Sequence, residues 1–319
     1  MVANIRMEKG RLMREQPNRR AFLRRVALAC GAAVGGTAGA VCPHDARAVE
    51  PVERTGKPKY KFTLAAYSYR SLLSGKEPEL SLEDFVRDCA TFGLEGTEPT
   101  SYYFPQPVTN AYLCRLKATA FRLGLSISST AVGNNFSRPP GEQRDKEVAQ
   151  VKQWINHAQV LGAPVIRIFS GAPTKQQTAE EAHRLAVEAI EECCAYAGQK
   201  GIVLGLENHG GLTSTAEKML AIVRDVKSPW FAAWMDTGNF HGEDVYAELE
   251  QIAPYTIHVQ VKVVTSEQGR GRQPTDFKRL RRILDGVNYR GWICLEYEEK
   301  EDPRKACPRY LEQLREAFS

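Results

Sequence analysis

Ile202-Val-Leu-Gly-Leu-Glu-Asn-His209 decides the reading of this chain. Its first five residues are apolar apart from Gly205, and a helix-like segment stops just before it at Lys200-Gly201. An apolar run of this length, entered through a glycine, reads as a strand buried on both faces, as in a parallel sheet. It then ends in a carboxylate, an amide and an imidazole, followed by Gly210-Gly211. Glu207 and His209 stand two apart and so share one face of the strand. Packing does not ask for such an ending, whereas a metal or acid–base site does. The plainer alternative is a carboxylate that caps the next helix.

The same strand-then-helix unit recurs on both sides of this stretch. Apolar runs at 62–67, 94–98, 125–131, 165–169, 202–207, 231–235, 256–262 and 292–295 read as strands. Amphipathic segments opening near Ser81, Asn110, Gln143, Thr178, Ser214, Asp244, Asp276 and Pro303 read as the helices between them. Eight such units predict a (β/α)₈ barrel, an α/β fold with one domain over 60–319. A doubly wound open sheet would need a glycine-rich phosphate turn after the first strand, and Ala66-Tyr67-Ser68-Tyr69 supplies none.

The first 48 residues stand apart. Asn18-Arg19-Arg20-Ala21-Phe22-Leu23-Arg24 is a twin-arginine pattern, the stretch to Val41 is apolar and small, and Ala46-Arg47-Ala48 is a cleavage site. That order is expected of an export signal at 1–48, with a linker at 49–59 and a periplasmic product. Nine of the 43 basic and three of the 38 acidic side chains fall in the leader, so the whole-chain charge of +5 belongs to the discarded part. A near-neutral remainder gives no support for nucleic-acid binding. No later apolar run approaches the ~20 residues that span a bilayer, so no membrane partner is expected after cleavage; a homo-oligomer is compatible with the chain. Six of the eight cysteines lie beyond the leader in no disulfide or zinc spacing, and read as buried thiols.

In a barrel, the C-terminal ends of different strands converge on one mouth. There the chain carries Glu98, Glu207 with His209, Asp236, His258 with Gln260 and Lys262, and Glu296. Carboxylates from three strands sharing a dry funnel repel one another unless a cation lies between them. An oxygen-rich set favours a hard or borderline ion, Mn²⁺, Mg²⁺ or Co²⁺, with Zn²⁺ compatible. Each residue alone has a plainer role: Asp236-Thr237-Gly238 as a helix-capping turn, His258 as a core imidazole, Gln260 as a buried amide, Lys262 as a rim residue. The coincidence of tips carries the reading.

These motifs resemble the xylose-isomerase-like barrel superfamily, and within it the sugar phosphate isomerase/epimerase group. The resemblance rests on Leu206-Glu207-Asn208-His209-Gly210, Met235-Asp236-Thr237-Gly238-Asn239, His258-Val-Gln260-Val-Lys262, and the tail from Gly269-x-Gly271 through Tyr289-x-Gly291 to Leu295-Glu296. It implies one divalent ion held by Glu207, Asp236, Gln260 and Glu296, with Gln260 standing where the family usually has His and His258 as a substitute one layer deeper. It further implies that Glu207 and Glu296 act as acid–base partners on a sugar, through an enediolate. His209, His258, Lys262, Glu98 and Arg167 are expected to bind or orient substrate. Tyr67, Tyr102, Tyr103 and Trp234 are expected to form an apolar wall, and Arg272 to grip from the loop after the seventh strand. Export favours an unphosphorylated keto-sugar. A keto-glycoside lyase or hydratase of the same fold is the close alternative, and a metal-free carbohydrate-binding barrel the non-enzymatic one. Too few histidines stand at the tips for a multi-zinc DNA-repair site.

Overall fold

The structure, a computed structural model, describes residues 49–319, so the expected leader at 1–48 lies outside the described residues. Eleven strands are present among them: β1 (Lys59–Leu64), β2 (Gly96–Thr97), β3 (Ser126–Ile127), β4 (Thr130–Ala131), β5 (Val165–Ile168), β6 (Val203–Glu207), β7 (Phe231–Asp236), β8 (Thr256–Val261), β9 (Val264–Glu267), β10 (Gly271–Pro274) and β11 (Arg290–Leu295). Eight longer helices alternate with them: α1 (Leu82–Thr91), α2 (Asn110–Arg122), α3 (Glu142–Leu161), α4 (Ala179–Gly198), α5 (Ala216–Asp225), α6 (Val245–Ile252), α7 (Phe277–Gly286) and α8 (Pro303–Phe318).

Seven strands form one curled parallel sheet in the order β1-β11-β8-β7-β6-β5-β4. The ring closes through β2 and β3. Ala66 N donates to Glu98 O and Glu98 N to Leu64 O, at 2.9 and 3.0 Å, while Ser126 N and Ser128 N donate to Glu95 O and Thr97 O, both at 3.0 Å. The result is the (β/α)₈ TIM barrel expected from the repeat. The third strand, expected unbroken over 125–131, is split between β3 and β4. At the break Ser128 Oγ turns to Thr97 O and to the Thr63 and Ser129 hydroxyls, so side-chain hydrogen bonds compete with the ladder.

The helices start where the sequence places short polar caps. Ser81 and Asp84 form a capping box on α1, and Thr109, Thr178, Thr215, Asp244 and Asp276 each accept a first-turn N–H. Their apolar faces pack on the sheet in one continuous core that includes Phe85, Trp154, Ile190, Met219, Leu249 and Leu311. Two boundaries differ from expectation. β1 begins at Lys59 rather than 62, and the expected linker is docked: Val52 N donates to Pro254 O at 2.9 Å, and Arg54 reaches backbone carbonyls at Thr256 and Val287. The expected loop at Gly269–Arg272 instead runs from the turn into the second strand of an antiparallel hairpin, β9–β10, in which Glu267 pairs with Gly271 and Ser266 with Arg272. Its charged, exposed second strand hid the period-2 signal.

Candidate active site

Glu207 ends β6, Asp236 ends β7, and Glu296 follows β11. Each offers a carboxylate oxygen within 4.8 Å of the others, and all three are buried. The local sequence explains how they are held. Asn208 locks two strand ends together, its amide donating to Asp236 O at 2.9 Å while its oxygen accepts from Asp236 N at 2.8 Å. Asp236 Oδ1 accepts from Gly238 N at 2.8 Å, and the Thr237 hydroxyl accepts from Lys262 N at 2.9 Å. A Cβ on Gly238 would lie 2.5 Å from Lys262 Cγ, so only glycine lets the lysine stem pass. Asp236-Thr237-Gly238 is thus a device for placing Asp236 and Lys262 together, beyond the capping turn that the motif alone allows.

Two cations enter the group. Arg167 Nε lies 3.1 Å from Glu207 Oε2, while its Nη1 donates to Val132 O at 3.1 Å and its Nη2 to the Tyr102 hydroxyl at 3.3 Å. Lys262 Nζ contacts Glu296, lies 2.8 Å from Glu298 Oε1 and stands 3.4 Å from Asp236 Oδ2. Burial pushes the Asp236 carboxyl up to about 7 against the pull of Lys262. Burial also raises Glu207 and Glu296, opposed chiefly by Arg167 and Lys262 respectively. Burial alone would lower the Lys262 ammonium, but Asp236, Glu296 and Glu298 outweigh it and hold it well above its ordinary value.

The residues present fit a divalent ion. Glu207 Oε2 and Asp236 Oδ2 are buried acceptors that receive no hydrogen bond, because the Arg167 N–H is near in distance but not aimed along the line to Glu207. Two monovalent cations face four carboxylates once Glu298 is included, so the group retains negative charge for an ion to balance. Gln260, the expected fourth ligand, is engaged elsewhere. Its Oε1 accepts the Trp234 indole N–H at 2.7 Å, and that indole needs an acceptor because it is wholly buried. The oxygen set facing the funnel is therefore three carboxylates.

Other expected residues are sorted by depth. Glu98 and His258 are wholly buried, as Asp236 is, and His258 lies one pleat below Asp236, paired across the ladder with Trp234. The inward face of a barrel strand is filled in layers, and His258 stands two residues before Gln260 on the same face of β8. Trp234 is likewise wholly buried and is no part of a sugar-binding wall; it stacks on His258 at 3.9 Å. Tyr67, Tyr102 and Tyr103 do form an edge-to-face group at the rim, with Lys262 Nζ 5.9 Å from the Tyr67 ring. His209 is exposed at the strand tip with its ring 4.4 Å from Phe169. Arg272 is exposed and paired with Glu299 at 2.5 Å; both line a cavity of about 230 Å³ with Lys262, Glu298, Gly238 and Asn239. Asn239, given no role from sequence, donates to Glu207 Oε1 at 3.3 Å. Its position after Asp236-Thr237-Gly238 was the one available signal.

The description "Xylose isomerase-like TIM barrel" fits residues 86–317 as a family model. The chain belongs to that family. Among curated proteins it is similar to the inosose dehydratase of Erwinia tasmaniensis, 26% identical over 274 residues, covering 72% of this chain and 86% of the relative. Among solved structures, a D-psicose 3-epimerase from Clostridium cellulolyticum crystallised with D-tagatose superposes with a TM-score of 0.68 at 15% identity, covering 81% of this chain and 99% of that one. A 3-keto-D-glucoside 4-epimerase from E. coli matches with a TM-score of 0.63 at 16% identity, covering 81% and 100%. The family's barrel therefore serves sugar epimerases and dehydratases alike, and among the described residues of this member no helix is long and apolar enough to cross a membrane.

Proposed function

We propose that this chain is a divalent-metal-dependent enzyme that abstracts a proton beside the carbonyl of a small keto-sugar, as an isomerase or epimerase. One observation carries the reading: Glu207 and Glu296 flank Asp236, and each has its own cation, Arg167 for one and Lys262 for the other. Glu207, Asp236 and Glu296 would hold the ion. The chemistry such an ion supplies when bound is Lewis-acid stabilisation of charge on the carbonyl oxygen. Glu207, held beside Arg167, takes the proton from carbon, and Glu296 returns one to the enediolate. Lys262 keeps Glu296 in place and, with Arg272 above it, gives hydroxyl groups donors at the cavity mouth. Tyr67 and Tyr103 face the sugar from the rim. The cavity of about 230 Å³ reaches this group through Lys262, while the three carboxylates themselves do not line it.

A second reading shares the first step. Loss of a hydroxyl from the carbon next to the enediolate, in place of reprotonation, makes the enzyme a dehydratase or lyase, and the similarity to inosose dehydratase favours it. The twin-arginine pattern at Arg19-Arg20 supports export to the periplasm and hence an unphosphorylated substrate. Incubation of the purified chain with keto-sugars in D₂O, with Mn²⁺, Co²⁺ or Mg²⁺, tests both. Deuterium on carbon in a product of unchanged framework means isomerase or epimerase, and loss of water means dehydratase. No exchange with any ketose or inosose would defeat the shared step.

A further inference from the structure

One pleat below the carboxylates lies a second group of donors that the proposed reaction does not use. Glu98 after β2, His258 on β8 and Cys294 on β11 each offer a ligand atom within 4.8 Å of the others, and all three are wholly buried. His258 Nε2 and Cys294 Sγ each lie 3.5 Å from Glu98 Oε2. With usual metal–nitrogen, –oxygen and –sulfur lengths, the edges of a tetrahedron around one dication are about 3.3–3.7 Å. Ser129 Oγ joins the group, 2.6 Å from Glu98 Oε2 and 3.1 Å from His258 Nε2.

Glu98 Oε2 and His258 Nε2, the atoms that face the group, share the Ser129 hydroxyl, while Glu98 Oε1 and His258 Nδ1 are buried with no hydrogen-bond partner. Among the described residues the one ion-pair partner of Glu98 is His258, and Arg167 acts on it from beyond ion-pair distance. The imidazole is also held in a fixed plane, stacked on Trp234 at 9° while Trp234 is pinned to Gln260.

We propose that Glu98, His258 and Cys294 form a second, structural metal site for a borderline divalent ion such as Zn²⁺ or Co²⁺. The mixed oxygen, nitrogen and sulfur set selects that class, whereas the carboxylates above it suit a harder ion. On binding, the Cys294 S–H bond breaks as the metal–sulfur bond forms, and the proton passes to solvent while the site is still open during folding. The ion links β2, one of the shortest strands of the ring at two residues, to β8 and β11 across the barrel, where ladder hydrogen bonds are fewest.

The test is cobalt substitution of the full chain, reading metal content per chain and the near-ultraviolet thiolate-to-cobalt charge-transfer band. Wild type is expected to hold two ions and show the band. Cys294→Ser and the isosteric Glu98→Gln are expected to fall to one ion and lose it. Glu207→Gln is expected to keep the band while the upper ion is lost, which separates this site from the proposed active site. A wild-type protein with cobalt bound and no thiolate band overturns the proposal, as does a band that survives Cys294→Ser; the first needs no variant to fold.

Discussion

Replacing Lys262 by Met keeps the length of the side chain and removes its charge. The ammonium lies 3.4 Å from Asp236 Oδ2, contacts Glu296, and reaches the half-exposed Glu298 at 2.8 Å. The pair with Glu298 is screened by water and adds little. Those with Asp236 and Glu296 are buried, and removing one partner of a buried pair costs roughly 3–5 kcal/mol because the stranded charge stays behind. At about 2–4 °C of unfolding midpoint per kcal/mol for a domain of this size, the variant melts roughly 6–20 °C below wild type in EDTA. Of the two cations in the group, a dication then competes with Arg167 alone for the carboxylates. At a hundred times its dissociation constant it adds about 2.7 kcal/mol, and Mn²⁺ raises the midpoint of Lys262→Met more than that of wild type. Differential scanning fluorimetry with and without Mn²⁺ measures both. A variant as stable as wild type in EDTA, or equal Mn²⁺ shifts in the two proteins, would refute the view that Lys262 and an ion balance the same charges.

Glu296→Gln removes the returning acid and lowers product formation by about 10²–10⁴-fold; product formation within tenfold of wild type contradicts its role. Gly205→Ala brings a Cβ to 2.9 Å from Trp234 Cε3 inside the barrel. Overpacking of that kind costs roughly 1–3 kcal/mol, seen as a lower urea midpoint at unchanged slope, and an unchanged midpoint argues against the packing. In protein prepared free of divalent ions, burial raises Glu98 from 4.5 to about 8. An acid raised on folding binds its proton more tightly in the folded state. Its stabilising effect is whole below the ordinary value and is lost as pH climbs from about 4.5 to 8, at about 1.4 kcal/mol per unit. Glu98→Gln flattens that slope in denaturant titrations; an equal slope in the variant assigns the dependence to other groups.

How far the sequence carried differs between fold and site. The eight βα units were legible because long apolar runs and capped amphipathic segments are local signals, from the strand at Val203–Glu207 to the Asp276 cap of α7. The β9–β10 hairpin was not, since its outer strand is polar on both faces. At the site, Glu207, Asp236 and Glu296 could be picked out because each ends a hydrophobic run with a charge that packing does not need. Nothing local marked Ser129, in the break between β3 and β4, or Cys294, inside β11; both matter only through what faces them.

The chain by itself determined that its carboxylates stand at strand ends, because period and polarity are properties of neighbours in sequence. Tertiary structure alone decided their depth and partners: that Trp234 takes the Gln260 oxygen, that Lys262 turns into the carboxylates, and that Glu98 and His258 are buried against each other. Those outcomes depend on the stagger of strands around a closed ring, where residues a hundred or more positions apart share a layer. The stagger comes from closing the sheet and filling its interior, and no stretch of sequence contains it.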